Sequence, residues 1–318
     1  MRAAPTTLAR WGERRLVRRL QALFPSGRGV TRGIGDDAAV VRSVAPRYDL
    51  VLTSDPVIEG VHFAKGTPPA RVGRKAVARV LSDLAAMGAE PLWALVDLVA
   101  PPALPAASAM AAARGLAKLA SRHGLAVVGG DTAEGPRLEF HVFAVGRVPR
   151  NRAVLRSGAR AGDRLYVTGS LGGSLAGKHL TFEPRLAEGQ WLRKGRWASA
   201  MMDLSDGLAS DLPRLAEESG VGASVRLADL PVSASARRAR DGRSAYRHAL
   251  EDGEDYELLV AVPERKASAF ERAWRRTFRL RLTCIGSLTD RAGRIEWVLP
   301  SGDRMRHGGG FEHFGRHP

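Results

Sequence analysis

Strand-like and helix-like segments alternate along almost the whole chain, and this alternation restricts its fold more than any other feature. In the first half, residues 70–87 and 106–122 carry apolar side chains at helical spacing. Short apolar runs typical of β-strands occur at Ala38–Val41, Leu50–Thr53, Leu92–Val99, Ala126–Val128 and Leu138–Val148. The pattern predicts an α/β or α+β fold.

A turn-rich stretch near residues 149–163 interrupts this pattern and is followed by a new strand-like run, Arg164–Thr168. The alternation then resumes with helix-like segments at 185–194, 206–219 and 264–277 and strand-like segments at 199–203, 223–227, 256–262, 282–287 and 295–299. We therefore predict two domains, residues 1–148 and 149–318. A chain of 318 residues is long enough to give each domain its own hydrophobic core.

The chain is strongly basic, with 49 Lys and Arg against 33 Asp and Glu and a formal net charge of +16. The excess is mostly arginine and is spread over both halves, and the motifs of common nucleic-acid-binding modules are absent. A site for small anions accounts for local positive potential equally well. We therefore expect no nucleic-acid partner. Nucleic-acid binding stays as the remote alternative, which tight and steeply salt-dependent DNA binding would support.

The cysteine content and the hydropathy pattern indicate the compartment. Cys284 is the one cysteine, so an internal disulfide or a cysteine-rich zinc site is excluded and a reducing compartment is expected. Residues 8–24 predict an amphipathic surface helix without the uncharged core of a secretory signal. The longest uncharged stretch, Leu98–Ala113, contains three prolines and is not expected to span a bilayer. These features predict a cytoplasmic protein with no membrane partner.

Aspartates stand beside glycines or at the ends of predicted strands in apolar surroundings. Five segments share this character: Gly33–Asp37, Leu52–Asp55, Leu81–Leu84, Gly129–Thr132 and Asp203–Gly207. Each segment alone is also explained by a turn or a helix cap. Together they are typical of a ligand crevice at the edge of an α/β sheet. Carboxylate and hydroxyl ligands without a Cys/His cluster favour Mg²⁺ over zinc, commonly held between carboxylates and phosphates.

Residues Gly172–Lys178 match most of the P-loop pattern and follow a predicted strand. His179, however, occupies the position where a P-loop has the Ser or Thr that ligates Mg²⁺. We therefore interpret this segment as a glycine-rich turn between a strand and a helix. A contact of this turn with a phosphate stays open.

Eight motifs, in order along the chain, carry a resemblance to a known family. They are Gly33–Val41, Thr53–Phe63, Leu81–Glu90, Gly129–Pro136, Leu155–Gly158, Met202–Asp211, Gly253–Leu258 and Gly310–Phe314. Read together, they resemble the thiamine-monophosphate kinases. These enzymes belong to a superfamily that also holds aminoimidazole ribonucleotide synthetase, selenophosphate synthetase and a hydrogenase maturation factor.

The resemblance implies a specific architecture and site. It implies an N-terminal sheet domain that dimerises through its strands, a C-terminal α/β domain, and ATP in a cleft between the domains with several Mg²⁺ ions. The implied metal ligands are Asp37, Thr53, Ser54, Asp55, Asp83, Asp131, Asp203 and Asp206. The implied ATP contacts are Gly130, Asp131, Arg156 and Ser205, and the implied substrate contacts are His62, Glu254 and Phe311. A requirement for a monovalent cation is left open.

The implied reaction is ATP-dependent phosphorylation of thiamine monophosphate to thiamine diphosphate. The accepting phosphate is already anionic, so direct in-line transfer needs no strong base and no covalent nucleophile. The main obstacle is repulsion between two polyanions, which Mg²⁺ and Arg156 would offset. Val80, Glu134 and Phe311 depart from the residues common in the family, and their effects stay open.

Among the sibling enzymes, an aminoimidazole ribonucleotide synthetase-like ATP-dependent ligase is the alternative to the kinase. The Gly-Asp-Asp and Gly-Gly-Asp motifs are compatible with both. Gly253–Leu258 and the segment Glu59–Phe63 fit the kinase better. Selenophosphate synthetase is disfavoured because it needs a reactive cysteine or selenocysteine near its N-terminus, where this chain has none.

Overall fold

The computed structural model describes residues 30–32, 35–43 and 45–305. The predicted helix at 8–24, the predicted substrate contact Phe311 and the start of the Gly33–Asp37 motif lie outside the described residues. The chain divides into two compact units. The N-terminal unit comprises Asp37–Val154 and Gly177–Arg196. The C-terminal unit comprises Leu155–Ala176, the described residues from Trp197 onward, and those up to Asp36.

Strands and helices alternate through the described residues. The strands are β1 (Val30–Arg32), β2 (Ala39–Arg42), β3 (Tyr48–Ile58), β4 (Glu90–Ala100), β5 (Ala126–Gly129), β6 (Thr132–Glu134), β7 (Glu139–Pro149), β8 (Arg164–Thr168), β9 (Ala200–Asp203), β10 (Gly222–Arg226), β11 (Leu258–Val262), β12 (Leu282–Thr289), β13 (Ile295–Val298) and β14 (Arg304–Met305). The helices are α1 (Pro69–Ala86), α2 (Ala106–Arg122), α3 (Lys178–Thr181), α4 (Leu186–Lys194), α5 (Leu208–Ser219), α6 (Ala234–Arg238), α7 (Ala245–Glu251) and α8 (Glu264–Thr277).

In the N-terminal unit, a largely antiparallel sheet has the order β2-β3-β7-β4-β5, and β6 also pairs with β4. The strands β3 and β7 pair over their full length, from Tyr48 opposite Pro149 to Ile58 opposite Glu139. The predicted alternation along β7 is confirmed, because Phe140, Val142 and Ala144 are buried while the residues between them are half-buried. Helix α1 packs on β3 and β7 and buries its apolar side there.

Three helices of this unit touch backbone to backbone at glycines. A Cβ atom on Gly73 of α1 would lie 2.0 Å from the carbonyl oxygen of Ala112, and one on Gly115 of α2 would lie 1.9 Å from that of Ala70. These two pairs show that α1 and α2 cross antiparallel at a separation that only glycine permits. Likewise, a Cβ on Gly189 of α4 would lie 2.0 Å from the carbonyl oxygen of Ala85.

We expect Gly115→Ala to lower the free energy of unfolding by about 1–3 kcal/mol, because the added methyl group forces α1 and α2 apart. The higher helix propensity of alanine, worth about 1 kcal/mol, would give the opposite sign if there were no close contact. Urea titration measures the change. Ser121→Ala, at an exposed position of the same helix, is the matched control and should leave stability unchanged. Equal or higher stability of Gly115→Ala would contradict the described packing.

In the C-terminal unit, a seven-stranded sheet has the order β14-β13-β10-β12-β8-β11-β9. Its pairs are antiparallel except for β10 with β13. Strands β9 and β11 are buried along their whole length, and α5 adds Leu208, Leu212 and Leu215 to the core cluster. The phenyl ring of Phe270 on α8 meets the ring of Tyr166 edge to face at 5.1 Å.

The two sheets with flanking helices confirm the predicted α/β (α+β) class. The long predicted helices and strands are present within a few residues, while β1, β6, β14, α3, α6 and α7 were not predicted. The compact units change at Val154/Leu155, and Gly177–Arg196 belongs with the N-terminal unit. The domain boundaries 1–148 and 149–318 stay a prediction. Among the described helices, none has both the length and the apolar composition that crossing a bilayer requires.

Candidate active site

Strand β3 and helix α1 bring together several of the predicted site residues in the N-terminal unit. Thr53 and Asp55 are two residues apart on β3 and therefore share one face of the strand. Asp83 and Arg79, four residues apart, share one face of α1. The Thr53 hydroxyl donates a hydrogen bond to Asp83 Oδ2, and Arg79 Nη2 donates to Asp55 Oδ1 at 2.8 Å. The two segments thus form a polar seam of two carboxylates, a hydroxyl and a guanidinium.

Asp55 and Ser54 are two further predicted metal ligands on β3, and their surroundings differ from those of Thr53 and Asp83. The Asp55 carboxylate forms an ion pair with Arg79, so the protein supplies one positive charge beside it. Ser54 is exposed, and the pleat of β3 directs it away from the face that carries Thr53 and Asp55. Asp37 precedes β2 and is half-buried. The roles of Asp37, Thr53, Ser54, Asp55 and Asp83 as metal ligands stay predictions.

The segment Gly130-Asp131 joins β5 to β6 along the edge of β4. The Leu98 N–H donates to the carbonyl oxygen of Asp131 at 2.9 Å, and the Asp131 N–H donates to Asp97 Oδ1 at 2.9 Å. Gly130 has a φ of +148°, and a Cβ there would lie 1.9 Å from the carbonyl oxygen of Val96. Glycine is therefore required by two independent constraints. This conformation leaves the predicted ATP contacts Gly130 and Asp131 exposed to solvent.

His62 lies in the tight turn that follows β3. Its side chain is largely buried, and Nδ1 accepts a hydrogen bond from the Ile58 N–H at 3.0 Å. In the neutral ring the proton is therefore on Nε2. An Nε2–H group is a donor suited to a phosphate oxygen.

In the C-terminal unit, two predicted motifs lie side by side. β9 ends at Asp203, and the chain then passes through Ser205 and Asp206 before α5 begins. The Glu254 N–H donates to the carbonyl oxygen of Ser205 at 2.6 Å, and the Tyr256 N–H donates to that of Leu204 at 2.8 Å. The motifs Met202–Asp211 and Gly253–Leu258 are therefore joined by backbone hydrogen bonds.

Glu254 and Tyr256 adopt φ values of +52° and +50°, in the left-handed region that non-glycine residues rarely occupy. Such a conformation costs about 1 kcal/mol or more per residue and persists only where the surrounding contacts impose it. Here the hydrogen bonds to Ser205 and Leu204 impose it. Strained backbone of this kind concentrates at ligand sites, which agrees with the predicted substrate contact at Glu254.

Asp211 and Arg214 form a network around Asp206 that we did not predict. Asp211 is fully buried on α5, and its Oδ2 accepts a hydrogen bond from the Asp206 N–H at 3.0 Å. Arg214 Nη1 donates to Asp211 Oδ1 at 3.1 Å and also to Asp206 Oδ2. Burial raises the pKa of the Asp211 carboxyl well above its usual range; Asp206 also raises it, whereas Arg214 lowers it. The sequence did contain a signal for this network: Asp211 is a carboxylate at an apolar position of the predicted helix 206–219, within the motif Met202–Asp211.

Arg156 is anchored through its backbone. Its N–H lies 3.2 Å from Asp36 Oδ2, and its carbonyl oxygen accepts a hydrogen bond from the Ser219 hydroxyl at 2.8 Å. Arg32 Nε also binds Asp36 Oδ2, at 3.2 Å. The contact of the Arg156 guanidinium with ATP stays a prediction.

The glycine-rich turn at Gly172–Lys178 is not a P-loop. The Gly172 N–H donates to Asp255 Oδ2 at 2.9 Å, and the Gly173 N–H donates to Asp252 Oδ2 at 2.7 Å. The backbone donors that a P-loop would present to phosphate are thus directed at carboxylates. The interpretation as a turn is confirmed, and the open contact with phosphate finds no support at these two N–H groups.

The donor chemistry of both units fits Mg²⁺. Thr53 and Asp83 in the N-terminal unit, and Asp203 and Asp206 in the C-terminal unit, offer hydroxyl and carboxylate oxygens, which Mg²⁺ prefers. Asp203 is buried, and the pKa of Asp211 is raised first by burial and then by the neighbouring negative charges of Asp206 and Asp203. A buried group of carboxylates is stabilised by a bound cation.

The chain matches two family models and closely similar relatives. The AIR synthase related protein N-terminal domain matches residues 35–148, and the C-terminal domain matches residues 160–298. Thiamine-monophosphate kinase of Salmonella typhimurium is 37% identical over 310 residues, 90% of this chain and 92% of that protein. The Escherichia coli enzyme is 38% identical over 281 residues, 82% of this chain and 85% of that protein.

A solved structure agrees with these relatives. AaThiL complexed with AMPPCP and TMP matches with a TM-score of 0.84 and 30% sequence identity, covering 98% of this chain and 100% of that one. The two domain matches confirm the predicted two-domain α/β architecture. The chain belongs to the thiamine-monophosphate kinase family.

Proposed function

We infer that this protein transfers the γ-phosphoryl group of ATP to the phosphate of thiamine monophosphate, giving ADP and thiamine diphosphate. The observation that carries this inference is the similarity over 98% of the chain to a structure that contains both an ATP analogue and TMP. The relatives in Salmonella and Escherichia, which share 37% and 38% of their aligned residues, carry the same enzyme name. The protein is therefore an enzyme of thiamine diphosphate biosynthesis.

Several Mg²⁺ ions complete the site in this proposal. The residues that would hold them are Asp37, Thr53, Ser54, Asp55, Asp83, Asp131, Asp203 and Asp206. When bound, Mg²⁺ neutralises phosphate charge and orients the phosphates for in-line transfer. The seam of Thr53 with Asp83 and the network around Asp206 support this assignment, because each supplies hard oxygen ligands from rigid elements.

The remaining site residues bind and orient the two substrates. Gly130, Asp131 and Ser205 would contact ATP, and the Arg156 guanidinium would bind its phosphates. His62 would donate its Nε2 proton to a hydrogen bond with the phosphate of thiamine monophosphate. Glu254 would contact the same substrate. The substrate-contact role of Phe311 remains a proposal from family resemblance.

The protein would need neither a nucleophilic side chain nor a strong base for this reaction. The accepting oxygen belongs to a phosphate that is already ionised near neutral pH, so its attack requires no proton abstraction. The residues of the chain therefore need only hold ATP and thiamine monophosphate in line and exclude competing water. Direct transfer without a phosphorylated enzyme follows.

We also infer that the protein forms a homodimer through the sheet of its N-terminal unit. Trp93 and Leu95 on β4 and Val127 and Val128 on β5 are 43–62% exposed. An apolar patch on an exposed sheet is typical of an interface, and a second copy of the chain is the partner that the family resemblance implies. A cytoplasmic location fits the lone cysteine, which suits a reducing compartment.

Incubating the purified protein with ATP, Mg²⁺ and thiamine monophosphate should form thiamine diphosphate and ADP in equal amounts. Separation by liquid chromatography with fluorescence detection of the oxidised thiamine species measures the first product, and a coupled assay measures ADP. Thiamine itself is the matched control substrate: it lacks the accepting phosphate and should not be converted. ADP formation without thiamine diphosphate would contradict the proposal.

A further inference from the structure

Lys75 is a buried lysine that the proposed reaction does not use. It lies on α1 with 0% of its surface exposed, and its helix neighbours Val72 and Ala76 are also fully buried. A buried ammonium group is unfavourable unless polar partners compensate for its lost hydration. One such partner is the carbonyl oxygen of His62, to which Lys75 Nζ donates at 2.5 Å.

His62 is thereby held at two points. At its carbonyl oxygen it is bound by Lys75 Nζ, and at ring Nδ1 it is bound by the Ile58 N–H. The turn itself is closed by hydrogen bonds from the His62 N–H to the carbonyl oxygen of Ile58 at 2.9 Å and from the Gly60 N–H to that of Phe63 at 2.8 Å. The backbone and the ring of His62 therefore have little freedom, and Nε2–H keeps a fixed direction.

We propose that Lys75 is a positioning residue for recognition of the thiamine monophosphate phosphate, acting through His62. This inference rests on the proposed function. Lys75 fixes the backbone of the substrate-binding turn through its hydrogen bond to the His62 carbonyl oxygen, and this keeps the Nε2–H group of His62 in place to bind an anionic group. Lys75 does not itself need to touch the substrate.

The proposal predicts an effect on one substrate only. Lys75→Met leaves an unbranched apolar side chain, one heavy atom shorter than lysine, and removes the amino group with its N–H donors. We expect the KM for thiamine monophosphate to rise at least tenfold and the KM for ATP to stay within twofold. A merely structural role would lower the folded fraction and leave both KM values unchanged. Lys65→Met, at an exposed position, is the matched control and should change neither KM.

A double-mutant cycle tests whether Lys75 acts through His62. In a His62→Ala background, Lys75→Met should change kcat/KM for thiamine monophosphate by less than twofold. A full tenfold effect in that background would overturn the proposal, as would a KM for ATP that rises as much as the KM for thiamine monophosphate.

Two further comparisons keep the test decisive. If Lys75→Met does not fold, Lys75→Gln is measured in the same way, because its amide nitrogen lies one bond nearer the backbone than Nζ and does not restore the hydrogen bond to the His62 carbonyl oxygen. A KM for thiamine monophosphate in Lys75→Gln that equals the wild-type value would overturn the proposal.

If the wild-type protein forms no thiamine diphosphate, the proposed function fails. If the wild-type protein is active and the KM change is not selective, the role of Lys75 fails.

Discussion

Asp206→Asn is expected to lower the rate of phosphoryl transfer by about 10²–10³-fold while the protein stays folded. The substitution preserves the shape of the side chain and removes one negative charge from the network with Arg214 and Asp211. The proposed role of Asp206 is to hold Mg²⁺ against the phosphates, and a neutral amide is a much weaker ligand for that ion. The remaining hydrogen bond from the Asp206 N–H to Asp211 keeps the start of α5 in place.

Steady-state kinetics at several Mg²⁺ concentrations measure this effect, and the midpoint of thermal unfolding reports on folding. Direct Mn²⁺ binding, followed by electron paramagnetic resonance, gives a second readout and should weaken in the variant. Asp229→Asn removes an exposed carboxylate that pairs with Arg226 in the same unit, and its turnover should equal that of the wild type. Near-normal turnover of Asp206→Asn at limiting Mg²⁺ would show that Asp206 is not a metal ligand.

Gly130→Ala is expected to lower kcat/KM for ATP by about 10²-fold, because a displacement of about 1 Å at a positioned group has effects of this size. The new Cβ would lie 1.9 Å from the carbonyl oxygen of Val96, and the φ of +148° is strained for alanine. The segment must move away from β4, which shifts Asp131 and breaks its hydrogen bonds to Asp97 and Leu98. The proposed ATP contacts are lost together.

Gly129→Ala is the matched control for this substitution. A Cβ on Gly129 meets only Leu95 Cδ2, at 3.4 Å, so the neighbouring position accepts alanine with little movement. Fluorescence titration with a nucleotide analogue measures the affinity of each variant for ATP. If Gly129→Ala and Gly130→Ala bind the nucleotide equally well, the segment beside Val96 does not position ATP.

The long elements of the fold were predictable because local pattern and tertiary burial agree. The alternation along Leu138–Val148 appears as β7, and the helical spacing at 70–87 appears as α1. Short elements were missed for a physical reason: β6 (Thr132–Glu134) has three exposed residues and forms only by pairing with β4. No local periodicity marks such a strand.

The residues of the candidate site were likewise found only in part from the sequence. The aspartates were found because a carboxylate among apolar residues is unusual, and Thr53 and Asp83 were indeed brought together from distant segments. Arg79 and Lys75 were missed because a cation on a helix is normally solvated, and only the tertiary structure shows that Lys75 is buried. The segment with Gly172 and Gly173 was correctly interpreted as a turn because of His179, but only the structure shows that Asp252 and Asp255 accept the N–H groups of the two glycines.

Label from γ-³²P-labelled ATP follows the transferred phosphoryl group itself. With wild-type protein, Mg²⁺ and thiamine monophosphate, we expect the label in thiamine diphosphate in the same amount as ADP formed, and none on acid-quenched protein. Label that appears only as inorganic phosphate, or that accumulates on the protein, would contradict direct transfer to thiamine monophosphate.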